Sequence, residues 1–206
     1  LDDFVVYGQG LEHMTKLRLC LDRCRQARLS LNPAKCVFLV TSNNLLGPIV
    51  SPKGITMDPG KVQAIMNAPA PTTTMALSRF LGQIRCDCRM LRHLDDFATP
   101  LHAAVHRLPF QCSSIEDKAY QSLKLMLSHA PVLQPPVWSE PFHIFVDASD
   151  IVIGNTLMQC TPLNWYRPVY YASRRLSAME KNYSTTEHEA LGMVYNIYKF
   201  RHYCLG

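Results

Sequence analysis

The sequence predicts an α+β protein whose C-terminal part is a unit of three strands followed by a helix. In several segments of the first two thirds of the chain, apolar residues recur at three- and four-residue steps, which is typical of amphipathic helices. From residue 142 onward, three strand-like runs follow one another, FHIFVDAS, IVIGNTLMQ and RPVYYASRRL, and a helical pattern comes after them. With 206 residues, of which 48% are hydrophobic, the chain can bury substantial cores.

The composition narrows the class of protein further. A formal net charge of +5 permits a polyanionic partner without requiring one. No stretch reaches the roughly 18 apolar residues of a membrane span, and two acids follow Leu1, unlike a signal peptide. We therefore expect an intracellular protein, cytoplasmic or nuclear, with no membrane partner. The eight cysteines are expected to be reduced, small buried residues, because no pair has the two-residue gap of a zinc knuckle.

The N-terminal third is predicted to mix strands with one helix. Residues 4–7 read as a short strand, and the spacing of Leu11, Met14, Leu17, Leu21 and Cys24 predicts a helix that ends before Asn32-Pro33. Residues 36–40 and 45–50 are predicted to form a β-hairpin, and residues 51–54 a second turn.

Helices dominate the middle of the chain. Asp58-Pro59 predicts a helix start, and the Pro- and Thr-rich residues 67–74 predict a break and hinge before the next helix. Further helices are predicted over 99–106 and from Ser114, which with Asp117 resembles a capping box. Three prolines within residues 131–136 predict a linker.

Asp147 stands at the end of the apolar strand that begins at Phe142. A lone carboxylate in such a strand is costly to bury unless a charged group pairs with it, so Asp147 is a candidate site residue. The alternative is structural: Asp147 would start a turn together with Ser149 and Asp150.

The two glutamates of the last helix have different expected roles. With Ser184 as the N-cap, Glu187 stands at the third helical position and completes a capping box. Glu189 has no such role and lies at the border of a predicted apolar face, beside Phe200 and Met193. Two carboxylates, Asp147 and Glu189, converging at the sheet would form a hard oxygen site for Mg²⁺ or Mn²⁺. The predicted apolar face comprises Ala190, Leu191, Met193, Val194, Ile197, Tyr198 and Phe200.

Asp2 and Asp3 precede the first predicted strand and form a second candidate for divalent metal, the alternative being a solvated acidic turn. The equally adjacent pair Asp95 and Asp96 is predicted to lie between helices and is assigned no function.

Taken together, these motifs resemble the reverse transcriptase and ribonuclease H region of gypsy-class LTR retrotransposon Pol polyproteins. LDDFVVY resembles the end of the Tyr-x-Asp-Asp polymerase motif, and LSLNPAKCVF and LLGPIVSPKGITMDPGKVQAI resemble the closing strands of the palm. FLGQIR, FATPLH and KAYQSLKLMLSHAPVL resemble the thumb, connection and ribonuclease H entry. FVDASDIVIGNTLMQ, PVYYASRRLSAMEKNYSTTEHEALGMV and KFRHYCLG follow in the family's order.

The resemblance implies three domains: the C-terminal part of a palm (1–57), a helical thumb and connection (58–108), and an RNase H-like domain truncated after its first helix (109–206). It implies Asp2 and Asp3 as polymerase metal ligands and Asp147 and Glu189 as ribonuclease H metal ligands, with Mg²⁺ or Mn²⁺ as cofactor. Leu45, Leu46 and Gly47 take the place of the primer-grip hairpin. The implied partners are an RNA–DNA hybrid, a primer-template, and the upstream palm and fingers and downstream ribonuclease H and integrase segments.

Departures from the family leave a second hypothesis open. The family's first palm aspartate and its later ribonuclease H acids lie outside residues 1–206, so we expect no activity from the isolated chain. Cysteines at 86, 88, 112 and 204 replace residues usual in the family. The alternative function is therefore a non-catalytic relic or a domesticated module that binds nucleic acid.

Overall fold

The N-terminal unit of the computed structural model contains one long helix. The structure describes residues 4–8, 10–107 and 109–204, and the chain divides into two compact units, Leu1–Val40 and Thr41–Gly206. Helix α1 spans Gly10–Gln26, as the spacing predicts, and a 3₁₀ turn follows at Pro33–Lys35. The predicted strand over residues 4–7 is wrong, because a strand needs a partner and the described part of this unit contains no other strand.

The second unit begins with a small antiparallel sheet of three strands, β1 (Asn43–Asn44), β2 (Ile49–Ser51) and β3 (Gly54–Thr56). The predicted turn between β2 and β3 is confirmed. The predicted hairpin of 36–40 with 45–50 is wrong: residues 36–40 form no strand, and residues 45–48 are the turn between β1 and β2. The reason is local, since the Asn44 side chain accepts a hydrogen bond from Gly47 N at 3.1 Å.

Four helices follow, α2 (Pro59–Asn67), α3 (Thr74–Cys86), α4 (Leu94–Val105) and α5 (Ser114–Ser128). The N-cap predicted for α2 is confirmed, because Asp58 Oδ1 accepts a hydrogen bond from Gly60 N at 2.9 Å. Helix α4 begins five residues before the predicted start. The capping box of α5 uses Ser113 and Glu116 rather than Ser114 and Asp117.

The main hydrophobic core lies between these helices, and it also fixes the two proline-rich loops. Lys124 Nζ and the Tyr120 hydroxyl donate hydrogen bonds to Ala68 O and Pro69 O, at 2.7 and 3.0 Å. In the predicted linker, Leu133 is fully buried and exchanges two backbone hydrogen bonds with Ile55. Both loops are therefore packed parts of one unit. The fully buried side chains of this core include Leu77, Ile84, Met90, Leu101, Leu123 and Leu133.

The C-terminal sheet has the predicted order of three strands and a helix: β4 (Phe142–Ala148), β5 (Val152–Cys160), β6 (Tyr166–Arg175) and α6 (Thr185–Cys204). The strands are antiparallel in the order β4-β5-β6. The apolar character of β4 predicts a central strand, but β5 occupies the centre, where its residues 152–157 are all buried. Among the described residues, β4 is an edge strand.

The buried face of α6 differs from the predicted one. His188, Gly192, Asn196 and Phe200 are buried, whereas Met193, Val194, Ile197 and Tyr198 are at least 60% exposed. Gly192 is the main reason for the difference. A Cβ at that position would lie 2.6 Å from Val146 Cγ1, so any larger residue would prevent the helix from packing this closely on β4. A small residue thus allows an approach that a larger apolar side chain would prevent.

Glu180 is an acid whose charge stabilises the segment before α6. Arg174 donates two hydrogen bonds to its carboxylate, at 2.8 and 3.0 Å, and Ser177 N donates a third at 2.7 Å. The hydrogen bonds from Arg174 are the main reason why the pKa of Glu180 falls from 4.5 to about 2. The carboxylate is therefore favoured in the folded protein.

Replacing Glu180 with glutamine is expected to lower the free energy of unfolding at pH 7 by about 1–2 kcal/mol, a value reduced for partial exposure. Since the folded pKa is depressed, this stabilisation is present above pH 4.5 and is lost as the pH falls toward 2. Urea unfolding at several pH values measures it. Glu140→Gln is the control, and equal pH dependence in wild type and Glu180→Gln would contradict the prediction.

Within the part of the chain that the structure describes, no helix is both long and apolar enough to cross a membrane.

Candidate functional site

The Asp147 carboxylate lies at the end of β4 and is 73% exposed. Its Oδ2 atom is 3.8 Å from Nε2 of His93, a residue just before α4. Gly154, opposite Asp147 on β5, makes room for this ring, because a Cβ there would be 2.6 Å from His93 Nδ1. The sequence gives no motif signal for His93, and only the fold brings it beside Asp147.

The acidic pair beside His93 has contacts of its own. Asp95 and Asp96 lie in the first turn of α4, not between helices as predicted. Ser173 Oγ donates a hydrogen bond to Asp95 Oδ2 at 2.7 Å and accepts one from Asp95 N at 3.0 Å, which joins α4 to β6. Asp96 Oδ2 is 3.3 Å from His93 Nδ1, and burial raises the pKa of Asp96.

The capping role predicted for Glu187 is confirmed. Its Oε2 accepts hydrogen bonds from Ser184 N at 2.7 Å and Ser184 Oγ at 2.8 Å, while Ser184 Oγ accepts one from Glu187 N at 3.4 Å. The backbone N–H of Ser184 is the main cause of a lowered pKa for Glu187. Glu187 is thus occupied at the start of the helix, which leaves Glu189 as the exposed acid one turn before Gly192.

Helix α6 runs antiparallel to β4, and this direction places Glu189. The Tyr203 ring lies 5.7 Å from the Phe142 ring at one end of the pair, and Gly192 packs on Val146 toward the other. Glu189 is about 4.5 Å beyond Gly192 along the helix, and Asp147 is about 3.3 Å beyond Val146 along the strand. Both residues therefore lie toward the same end of the strand–helix pair, but neighbouring strand residues point to opposite faces, so the Asp147 side chain lies on the His93 side of β4 and not on the α6 side.

The donor chemistry of these two residues suits a hard divalent cation. Their exposed carboxylate oxygens are the ligand type that Mg²⁺ and Mn²⁺ prefer, and among the described residues no lysine or arginine forms an ion pair with Asp147. The described ranges contain no group of three or more His, Cys, Asp or Glu side chains arranged to hold a metal ion. Asp147 and Glu189 are thus two exposed acids with suitable donor atoms, one on the strand and one on the helix.

The remaining predicted site residues are two acids near the N-terminus and the three residues predicted to replace the primer-grip hairpin. Asp2 and Asp3 lie outside the described residues. Leu45, Leu46 and Gly47 form the turn between β1 and β2, where Leu46 is 80% exposed and has a φ of 54°. The cysteines are all free thiols, as predicted, but the prediction that they are buried is wrong, since Cys24 alone is buried and Cys86, Cys112 and Cys204 are exposed.

Comparison with known proteins defines the class. Residues 113–206 match the family described as RNase H-like domain found in reverse transcriptase. This range includes α5, the three-stranded sheet and α6. The chain thus carries an RNase H-like domain of the reverse transcriptase type.

The similarity to known proteins also covers the residues outside this domain. It is 34% identical over 209 residues to the retrovirus-related Pol polyprotein from transposon 297, and 32% identical over 219 residues to that from transposon opus, both of Drosophila melanogaster. It is 25% identical over 205 residues to the transposon Tf2-3 polyprotein of Schizosaccharomyces pombe. The chain belongs to the retrotransposon Pol polyproteins, and its alignments span 19%, 22% and 15% of these three relatives.

Two solved structures share the fold. The foamy viral protease-reverse transcriptase in complex with RNA/DNA hybrid matches 97% of this chain and 27% of its own, with a TM-score of 0.81 and 18% identity. The foamy viral protease-reverse transcriptase dRH in complex with ds DNA matches 97% of this chain and 36% of its own, with a TM-score of 0.80. These similarities establish the α+β fold of the chain.

Proposed function

We propose that this chain is part of a gypsy-class RNA-directed DNA polymerase and ribonuclease H that acts on RNA–DNA hybrids and primer-templates. In this proposal Asp147 and Glu189 bind divalent metal in the ribonuclease H centre, and Asp2 and Asp3 do so in the polymerase centre. Mg²⁺ or Mn²⁺, when bound, would stabilise the charge that develops during phosphoryl transfer. The proposed domains are a palm end (1–57), a thumb and connection (58–108) and an RNase H-like domain (109–206), in an intracellular protein.

The observation that supports the proposal is that β4 and α6, which pack against each other, each carry an exposed acid, Asp147 on the strand and Glu189 on the helix. Asp147 is the last residue but one of β4 and its carboxylate is exposed, and Gly192 lets the first turns of α6 lie close to that strand. Glu187 is engaged with Ser184, so Glu189 is the glutamate left for a ligand role. The two carboxylates would hold the cation from opposite elements, the strand and the helix, which limits their freedom to move.

Basic side chains on α6 support a nucleic-acid partner. Lys199 is exposed, with Nζ 5.6 Å from the centre of the Tyr170 ring, and the Arg201 guanidinium lies 4.3 Å from the centre of the Tyr198 ring. An aromatic ring restricts the orientation of a cation that stacks on it. Lysine and arginine are the side chains that neutralise backbone phosphates, so cations held in this way suit a nucleic-acid partner. The two matching reverse transcriptases were solved in complex with ds DNA and with RNA/DNA hybrid, which is the kind of partner proposed here.

Replacing Asp147 with asparagine is expected to weaken Mn²⁺ binding by at least about tenfold, because the amide removes a charged hard ligand. Mn²⁺ titration followed by ¹H–¹⁵N NMR measures it through paramagnetic broadening of the amide signals near Asp147 and Glu189. Glu189→Gln is expected to act in the same direction.

Asp150→Asn is the matched control, since Asp150 is an exposed acid three residues later in the β4–β5 turn. It should leave the broadening near wild-type values. Equal broadening in wild type and Asp147→Asn would contradict the site, as would a loss of binding in Asp150→Asn alone.

A further inference from the structure

A cavity of about 230 Å³ lies between α3, α4, β6 and α6. Ile84 of α3 and Ala98 of α4 contribute apolar side chains to its wall. Tyr170 of β6 and Tyr195 of α6 contribute aromatic rings. All four elements belong to the described residues of the second unit. Because sites for drug-sized ligands measure about 300–1,000 Å³, this cavity suits a smaller ligand with one aromatic ring.

Two cations line the cavity where it opens to solvent. Arg85, in the last turn of α3, and Lys199, on α6, are both exposed. Burial raises the pKa of the Cys88 thiol in the same cavity, and the charges of Lys199 and Arg85 act in the opposite direction. Among the described residues of the lining, Asp95 is the single acid, and Ser173 already holds it by two hydrogen bonds. The lining therefore carries an excess of positive charge.

Several polar groups of the lining have no hydrogen-bond partner within the described part of the chain. The hydroxyls of Tyr170, Tyr171 and Tyr195 belong to this set, and burial raises the pKa of each, so all three stay protonated and can donate. The imidazole of His102 also belongs to it. Burial and, second, the charge of Arg175 lower the pKa of His102, which keeps the ring neutral at pH 7. The cavity thus presents polar groups that are free to bind a ligand.

We propose that this cavity binds a one-ring aromatic phosphate, with the ring among the apolar and tyrosine side chains and the phosphate between Arg85 and Lys199. Lys199 Nζ lies 5.6 Å from the centre of the Tyr170 ring, so the cation and the aromatic surface are side by side. Charge-assisted hydrogen bonds to phosphate are stronger than neutral ones, and aromatic rings pack favourably on one another. Phosphorylated phenols and pyrimidine nucleotides share this ligand chemistry.

Each part of such a ligand matches one part of the lining. Inorganic phosphate would pair with the cations but leave the apolar wall in contact with water. A neutral ring would cover that wall but leave Arg85 and Lys199 without a counter-charge. Neither Asp147 nor Glu189 lines the cavity, so this site is independent of the proposed metal centre.

Isothermal titration calorimetry of the purified chain with phenyl phosphate tests the proposal. We expect a dissociation constant at least about tenfold lower than for inorganic phosphate or phenol, because each of these lacks one half of the interaction. Uridine monophosphate distinguishes the two sources of the ligand chemistry. Tighter binding of uridine monophosphate than of phenyl phosphate supports a nucleotide ligand, and weaker binding supports a phosphorylated phenol.

Charge reversal tests the position of the phosphate. Lys199→Glu and Arg85→Glu should each raise the dissociation constant of phenyl phosphate by at least about tenfold. Lys118→Glu makes the same charge change at an exposed lysine of α5 outside the cavity, and it should bind like wild type. Far-UV circular dichroism confirms that each variant is folded.

Three results would each overturn the proposal. The first is equal affinity for phenyl phosphate and inorganic phosphate, which would mean that no ring enters the cavity. The second is unchanged binding in both Lys199→Glu and Arg85→Glu. The third is an equal loss of binding in Lys118→Glu, which would indicate attraction to the overall charge of the chain and not to this cavity.

Discussion

Gly54→Ala is expected to lower the free energy of unfolding by about 3 kcal/mol, because the new side chain adds backbone strain and a steric clash. Gly54 begins β3 with a φ of 129°, which an L-residue rarely adopts. A Cβ there would press on the Leu133 carbonyl oxygen and lie 2.6 Å from Val132 Cγ1. That carbonyl accepts the hydrogen bond from Ile55 N, so the clash would also separate the loop from the sheet.

Gly82→Ala is the matched control, since Gly82 lies inside α3 and a Cβ there meets nothing within 4 Å. It should stabilise the protein by about 0.5–1 kcal/mol through the lower entropy of the unfolded chain. Chemical denaturation of both variants measures the difference. Equal stability of the two variants would show that the close approach at Gly54 is absent.

Asn196→Ala is expected to destabilise the protein by about 3 kcal/mol, because it combines a cavity with an unpaired buried polar group. Asn196 is 1% exposed, and its Nδ2 donates to Asn155 Oδ1 and to Gly192 O, both at 2.7 Å. Asn155 is buried in the central strand β5. The amide pair therefore joins α6 to the sheet, and its loss leaves Asn155 Oδ1 without a donor.

A double variant separates the hydrogen bond from the packing. Asn155→Val together with Asn196→Ala removes both polar groups, so its destabilisation should be smaller than the sum of the two single effects. Val194→Ala, at a 66% exposed position on the same helix, should change stability by no more than about 0.5 kcal/mol. Additive single effects would mean that the two amides do not interact.

Much of the local structure could be predicted from the sequence, because the responsible interactions are short in range. The N-cap at Asp58, the capping box of Glu187 and Ser184, the turn between β2 and β3, and the final order of three strands and a helix are all confirmed. Each depends on residues within a few positions of one another. The assignment to retrotransposon Pol polyproteins, made on the series of motifs, is confirmed by the relatives.

Predictions that depended on a distant partner were less successful. Residues 4–7 and 36–40 have strand-like composition, but β-propensity expresses packing against neighbours, and these segments form no strand. In α6, Gly192 packs against Val146 and Asn196 donates a hydrogen bond to Asn155. These contacts turn that side of the helix to the sheet, so most of its apolar residues are exposed. Hydrophobicity counted around the helix does not include such matches.

The candidate site divides in the same way. Sequence alone determined Asp147 and Glu189 as candidates, since a carboxylate at a strand end and a glutamate without a capping role are visible in the residue order. Tertiary structure decided that α6 packs on β4, that His93 lies beside Asp147, and that β5 is the central one of the three described strands of the C-terminal sheet. The physical reason is that helix caps and turns are closed by neighbouring residues, whereas the position of a helix on a sheet depends on which distant side chains fit together.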